Sequence, residues 1–144
     1  MTAPKTIMLV VDEEGHAVLL IKQLRRQGVQ NPIRHFMTGS SALAWLDAPD
    51  HSAETLQLIV LDINLSDMSG TEILAQISTR PDTKTIPVIM LTSSDDPADA
   101  QLCFALGCRQ YMIKPMQAGS FVDVCSDLGC PLSIEPAFAA DRET

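Results

Sequence analysis

An α/β fold, a doubly wound five-stranded parallel sheet between two helical layers, is predicted from three observations. Apolar runs recur at Ile7-Met8-Leu9-Val10-Val11, Leu58-Ile59-Val60-Leu61 and Val88-Ile89-Met90-Leu91. Unbroken runs this short read as strands buried on both faces of a parallel sheet. Stretches with helical spacing separate them, so strand and helix alternate five times, and right-handed crossovers wind such a chain into an open sheet. Polar groups close each run: Asp12 and Glu13, then Asp62, then Thr92 and Ser93, and finally Lys114 after the short segment 110–113. Open α/β sheets bind ligands beyond the carboxyl ends of their strands. Three acids, a hydroxyl and an ammonium are therefore expected on one rim.

Residues 6–11 form the first strand and 12–15 a loop. The spacing of Val18, Leu20, Ile21 and Leu24 sets a helix over 16–27, and Gly28 ends it as a cap. A short strand over 33–36 follows Pro32. Thr38-Gly39-Ser40 opens a helix carrying Ala42, Leu43, Trp45 and Leu46, and the polar stretch 47–55 reads as a loop. The central strand, 56–61, delivers Asp62. Ser69-Gly70-Thr71-Glu72 has the form of a capping box, with Ser69 as cap and Glu72 reaching back. The helix it starts runs through Ile73, Leu74 and Ile77 to Thr79. After a loop over 81–86, Pro87 opens the next strand, a place where a missing N–H is tolerated. Asp96-Pro97 starts the fourth helix with a capping acid and a first-turn proline, and Gly107 ends it. A last helix over 120–128 is stopped by Gly129-Cys130-Pro131, and Pro136 argues against helix beyond it. One domain over 1–129 is expected, with a non-helical tail over 130–144. The apolar tail residues suit docking on the same domain or pairing in a homodimer.

Composition narrows the function classes. Of 144 residues, 46% are hydrophobic, too many for a disordered chain and enough for one core. No run nears the roughly 18 apolar residues of a membrane span, and the start is too short before the first strand for a signal peptide. A cytoplasmic protein with reduced thiols is expected. The spacings Cys103 to Cys108 and Cys125 to Cys130 match no zinc knuckle, which assigns these cysteines to packing. Net charge is −8 with no basic patch, against direct nucleic-acid binding. His16, His35 and His51 show no paired ligand spacing and are read as solvated or locally bonded.

The rim has a definite chemistry. Carboxylates about 4 Å apart repel by roughly 4 kcal/mol per pair at an effective dielectric near 20, so such a cluster holds protons or recruits cations. Hard oxygens favour Mg²⁺ or Ca²⁺, and Mg²⁺ with few protein ligands leaves room for waters and a phosphate. Lys114 adds a mobile positive charge. An aspartate between a divalent ion and an ammonium suits attack on a phosphoryl group, forming an acyl phosphate.

Five segments carry a family resemblance: Val11-Asp12-Glu13, Leu61-Asp62-Ile63-Asn64, Met68-Ser69-Gly70, Leu91-Thr92-Ser93 and Tyr111-Met112-Ile113-Lys114-Pro115. In order and spacing the chain resembles a bacterial response-regulator receiver domain, of the flavodoxin-like (βα)5 fold. The Ile86-Pro87-Val88-Ile89 lead-in is most similar to small stand-alone receivers, including those paired with bacterial phytochromes. The resemblance implies a phosphoacceptor rather than a dedicated enzyme. Asp62 would take a phosphoryl group from a sensor histidine kinase or phosphotransfer protein. Asp12, Glu13, Asp62 and the Asn64 carbonyl would hold Mg²⁺. Lys114 and Thr92 would contact the phosphoryl group, and Tyr111 would move behind Thr92 to switch a surface read by a downstream protein. Glu13 stands where the family mostly has aspartate, Ser66 where it has proline, and Ser69 where aspartate is common. Glu13, Ser66 and the added tail motivate a second reading, a degenerate receiver that acts as a phosphorylation-independent interaction module. A small phosphohydrolase would need an acid two residues after the nucleophile, where this chain has Asn64.

Overall fold

Side-chain alternation along each strand divides the core in two. In a computed structural model, described at residues 5–48, 56–93, 96–114, 118–129, 132 and 134, five parallel strands alternate with five helices. They are β1 (Thr6–Val10), α1 (Glu14–Arg26), β2 (Ile33–Phe36), α2 (Gly39–Asp47), β3 (Leu56–Asp62), α3 (Gly70–Thr79), β4 (Val88–Thr92), α4 (Pro97–Ala105), β5 (Gln110–Ile113) and α5 (Ala118–Asp127). Ile7, Leu9, Leu58, Val60, Ile89 and Leu91 face one cluster, completed by Leu20 and Leu24 of α1 and Phe121 and Cys125 of α5. Met8, Val10, Ile59, Leu61, Val88 and Met90 face the other, with Ala42, Ile73, Leu74, Ile77 and Cys103 from α2, α3 and α4. Period-two alternation in a strand produces this split, and the result is the expected three-layer arrangement.

The strand order is β2-β1-β3-β4-β5. The chain leaves β1 toward β2, then returns to the other side of β1 for β3, so the winding reverses between β1 and β3. That reversal opens a crevice at the carboxyl edge. Register sets the rim: Val10 lies beside Leu61, Asp62 beside Leu91, and Thr92 beside Ile113.

Helix ends follow the expected punctuation with small shifts. Gly28, Gly107 and Gly129 all have positive φ, at 87°, 110° and 79°. At Gly28 the Val29 N–H reaches the Leu24 carbonyl and the Gly28 N–H the Arg25 carbonyl, at 3.1 and 3.0 Å. This paired closure satisfies two orphan carbonyls and buries Val29 against Leu24. Asp96 caps α4 by accepting the Ala98 N–H at 2.9 Å, with Pro97 in the first turn. Two starts differ from expectation: α1 begins at Glu14 rather than residue 16, and α5 at Ala118 rather than residue 120. Neither start carries a strong capping signal to mark it. The capping box also resolves differently. Ser69 Oγ accepts the Thr71 N–H at 3.2 Å and meets Thr71 Oγ1 at 2.7 Å, so its partner is Thr71 and not Glu72.

Residues 49–55 of the loop expected over 47–55, Pro115, Cys130, Pro131 and most of the tail lie outside the described residues. Within the tail, Leu132 is buried in the α1/α5 cluster, and Ile134 forms an isolated antiparallel bridge with Val29. Cys103, Cys108 and Cys125 are buried, and burial pushes the Cys108 thiol up to about 12. Among the described residues no helix is long and apolar enough to cross a membrane. Leu132→Ala is expected to cost about 2–5 kcal/mol of unfolding free energy, the range for emptying a buried leucine site. Urea denaturation measures it, and a loss below about 0.5 kcal/mol would show that Leu132 contributes nothing to the core.

Candidate functional site

The end of β3 places Asp62 on the rim, and the local backbone holds it there. Asp62 is 2% exposed. Its Oδ2 lies 2.6 Å from Lys114 Nζ, and its Oδ1 accepts the Asn64 N–H at 3.2 Å. Lys114 follows β5 directly, and its own N–H donates to the Thr92 carbonyl at 2.7 Å. A backbone bond from β4 thus fixes the base of the side chain that crosses to Asp62. Burying a charge without a partner is costly; the ammonium offsets that cost for the carboxylate.

The segment after Asp62 closes on itself. Asn64 bridges Ser69, and the Gly70 N–H donates to the Ile63 carbonyl at 2.6 Å. A Cβ on Gly70 would overlap the Asp62 carbonyl oxygen and stand 2.9 Å from Ile63 Cα. Only glycine lets the start of α3 approach the end of β3 so closely. Residue 67 ties the same loop to a different element: Asp67 Oδ1 and Oδ2 accept the Gly39 and Ser40 N–H groups, each at 2.9 Å. Those are the orphan donors at the start of α2, a helix with no acid in its own first turn. The Ser40 and Gly39 N–H groups hold the Asp67 carboxyl below its ordinary value of 3.8. Sequence reading passed over Asp67, since its targets lie 27 and 28 residues away.

Thr92 and Tyr111 occupy the opposite face of the sheet from Asp62 and Lys114. Residues 58, 60 and 112 face the α1/α5 layer, so residues 62 and 114 start from that side; residues 88, 90 and 111 face the α2–α4 layer, and Thr92 goes with them. Thr92 is fully buried. Burial pushes the Tyr111 phenol up, a hydrogen bond with the Thr92 side chain acts in the other direction, and the Asp99 and Asp96 carboxylates add to the rise.

Among the described residues, Asp12 and Glu13 do not join Asp62 in a three-carboxylate cluster. Asp12 is half-buried and Glu13 exposed. Glu13 Oε2 instead pairs with His16 Nδ1 at 3.0 Å, so His16 is locally bonded, as expected. His35 Nε2 lies 2.8 Å from the Val11 carbonyl, on the strand end leading into these acids. Among the described residues, no three His, Cys, Asp or Glu side chains already stand as a metal cage. A cleft of about 320 Å³ adjoins the rim, lined by Val11, Leu20 and Leu91 with Glu13, His16 and Lys114.

The model of the response regulator receiver domain matches residues 7–125, a stretch containing every rim residue named above. The chain belongs to the response-regulator receiver family of two-component signalling. This receiver is 32% identical over 113 residues to response regulator Rcp1 of Synechocystis, covering 77% of each protein. The solved Mn²⁺-bound form of Rcp1 superposes with a TM-score of 0.74 at 27% identity, over 92% of this chain and 99% of that one. A receiver domain from Rhodospirillum rubrum is 38% identical with a TM-score of 0.72, over 87% and 91% of the two chains. The bacteriophytochrome response regulator RtBRR superposes with a TM-score of 0.80 at 29% identity, over 93% and 83%. The expected resemblance to stand-alone phytochrome regulators therefore holds.

Two outcomes test the site's scaffolding. Gly70→Ala is expected to cost about 1–3 kcal/mol in denaturant unfolding through overpacking; wild-type stability would show that the β3–α3 approach can relax freely. The folded-state pKa of Asp67 is depressed, so its stabilisation is full above the unfolded value of 3.8 and is lost as pH falls through the lower folded value. Asp67→Asn should therefore lower the thermal midpoint near neutrality, and the gap from wild type should narrow under acid. A gap independent of pH would refute the carboxylate's role.

Proposed function

We propose that this receiver is a phosphorylation switch that accepts a phosphoryl group on Asp62 from a sensor histidine kinase or phosphotransfer protein in the cytoplasm. The observation that carries the reading is the 2.6 Å contact between Lys114 Nζ and Asp62 Oδ2 on a rim otherwise supplied with carboxylates. In the transfer, a carboxylate oxygen of Asp62 forms a bond to phosphorus while the bond from phosphorus to the donor nitrogen breaks, leaving an acyl phosphate and a free imidazole. Positioning and charge neutralisation dominate such chemistry. Lys114 would follow the phosphoryl oxygens once the Asp62 carboxylate carries the group.

The donor set suits a hard divalent cation: Asp12 and Glu13 follow β1, Asp62 ends the adjacent β3, and the Asn64 carbonyl lies two residues on. Mg²⁺ held there would neutralise the transferring oxygens. The Glu13 Oε2 would leave His16 Nδ1 to join that set. The Mn²⁺ bound by Rcp1 supports this reading by relation.

The new dianion would then draw the Thr92 hydroxyl toward it, breaking or remaking the bond to Tyr111. Because Tyr111 lies on the α4 side, the disturbance reaches the surface of α4, β5 and α5. Leu102, Phe104 and Ile113 are each 48% exposed there, and apolar groups left in solvent suit a downstream protein partner. With Mg²⁺ and acetyl phosphate, intact-mass measurement should show one added phosphate, absent in Asp62→Asn. Lys114→Ala should slow the gain by about a hundredfold, the typical cost of removing one charge-stabilising donor. Labelling that persists in Asp62→Asn would overturn the assignment, and partner binding indifferent to that substitution would favour the phosphorylation-independent module.

A further inference from the structure

Glu13 is the N-cap residue of α1, yet its side chain makes no cap hydrogen bond. The carboxylate turns along the helix instead, to His16 Nδ1 at 3.0 Å, with the two side chains 56% and 58% exposed. Residues three apart on a helix are neighbours, which makes this a natural local pair. An Nδ1–H donates in one neutral tautomer and in the imidazolium alike, so the contact needs no particular charge on the ring. The extra methylene of glutamate lets a residue at the cap reach back over the first turn. Aspartate at the same place would fall short of the imidazole. Glu13 thus has two destinations on the rim, His16 and the proposed cation site beside Asp62, and the Oε2 held by His16 is not open to an ion.

We infer that His16 is a positioning residue that holds Glu13 away from the cation site and so weakens divalent-metal binding by the receiver. The inference rests on the metal-binding part of the proposed function. Metal entry would exchange the hydrogen bond from His16 for a bond from Glu13 to the ion, and the lost pair is subtracted from the affinity. An exposed pair of this kind shifts a binding constant by about twofold.

Isothermal titration of Mg²⁺ into phosphate-free protein, without phosphodonor, tests this by a double-mutant cycle. His16→Ala should bind about twofold more tightly than wild type. His16→Asn, whose amide nitrogen stands near the place of Nδ1, should return the wild-type affinity. In a Glu13→Asp background, His16→Ala should change nothing, since the shorter acid never reached the ring. A general structural role for His16 would alter both backgrounds alike and would move the thermal midpoint. Unchanged or weaker binding in His16→Ala, or an equal change in both backgrounds, overturns the inference while leaving the proposed function standing. If none of the proteins binds Mg²⁺, the metal part of the proposed function fails and the inference fails with it.

Discussion

A carboxylate buried at the end of the central strand requires positive charge beside it, and much of the architecture answers that requirement. Asp62 is flanked by β1 on one side and β4 on the other, so few directions are open for a cation. Lys114 comes from β5, one strand beyond β4, and spans that strand to reach it. The Lys114 N–H on the Thr92 carbonyl fixes where the span begins. Ion pairs removed from water are sensitive to geometry, since desolvation opposes most of the attraction. Strand register is therefore part of the site's chemistry as much as of its fold.

Strand alternation also sorts the rim by layer. The ion pair starts from the α1/α5 side, while Thr92 and Tyr111 belong with the α2–α4 side. In the proposed switch, a change at Asp62 would cross the plane of the sheet to reach α4, with Thr92 at the crossing. Its full burial and its bond to Tyr111 leave it few alternative positions. A side chain with few alternatives suits a switch between discrete arrangements. The β3–α3 loop is braced separately, by Gly70 against β3 and by Asp67 against α2.

The legible part of this molecule consists of features with short-range causes. Unbroken apolar runs marked β1, β3 and β4, and the residues closing them marked Asp62, Thr92 and Lys114. Glycines 28, 107 and 129 marked three helix ends because each takes a conformation that other residues resist. Long-range partners left no such mark. Asp67 looked like one more loop acid, and nothing local connects it to the α2 amides. Gly70 read as part of a cap, whereas its backbone approach to Asp62 depends on tertiary packing. The Glu13–His16 pair was hidden by an error of two residues at the start of α1: with the helix starting at residue 16, the two side chains do not share a turn. Leu132 and Ile134 were visible as apolar, but not the groove they occupy.

The antiparallel bridge between Val29 and Ile134 has a practical corollary. Val29 precedes β2, so the bridge sits at the amino edge of the sheet, while Asp62 ends β3 at the carboxyl edge. A strand of this length rises about 3.3 Å per residue, which separates the two poles by the depth of the sheet. Whatever is joined to the chain just past Ile134, whether a fluorophore, a purification handle or another folded module, is tethered at the far pole. Fusions on that side have room to report on the rim without crowding it.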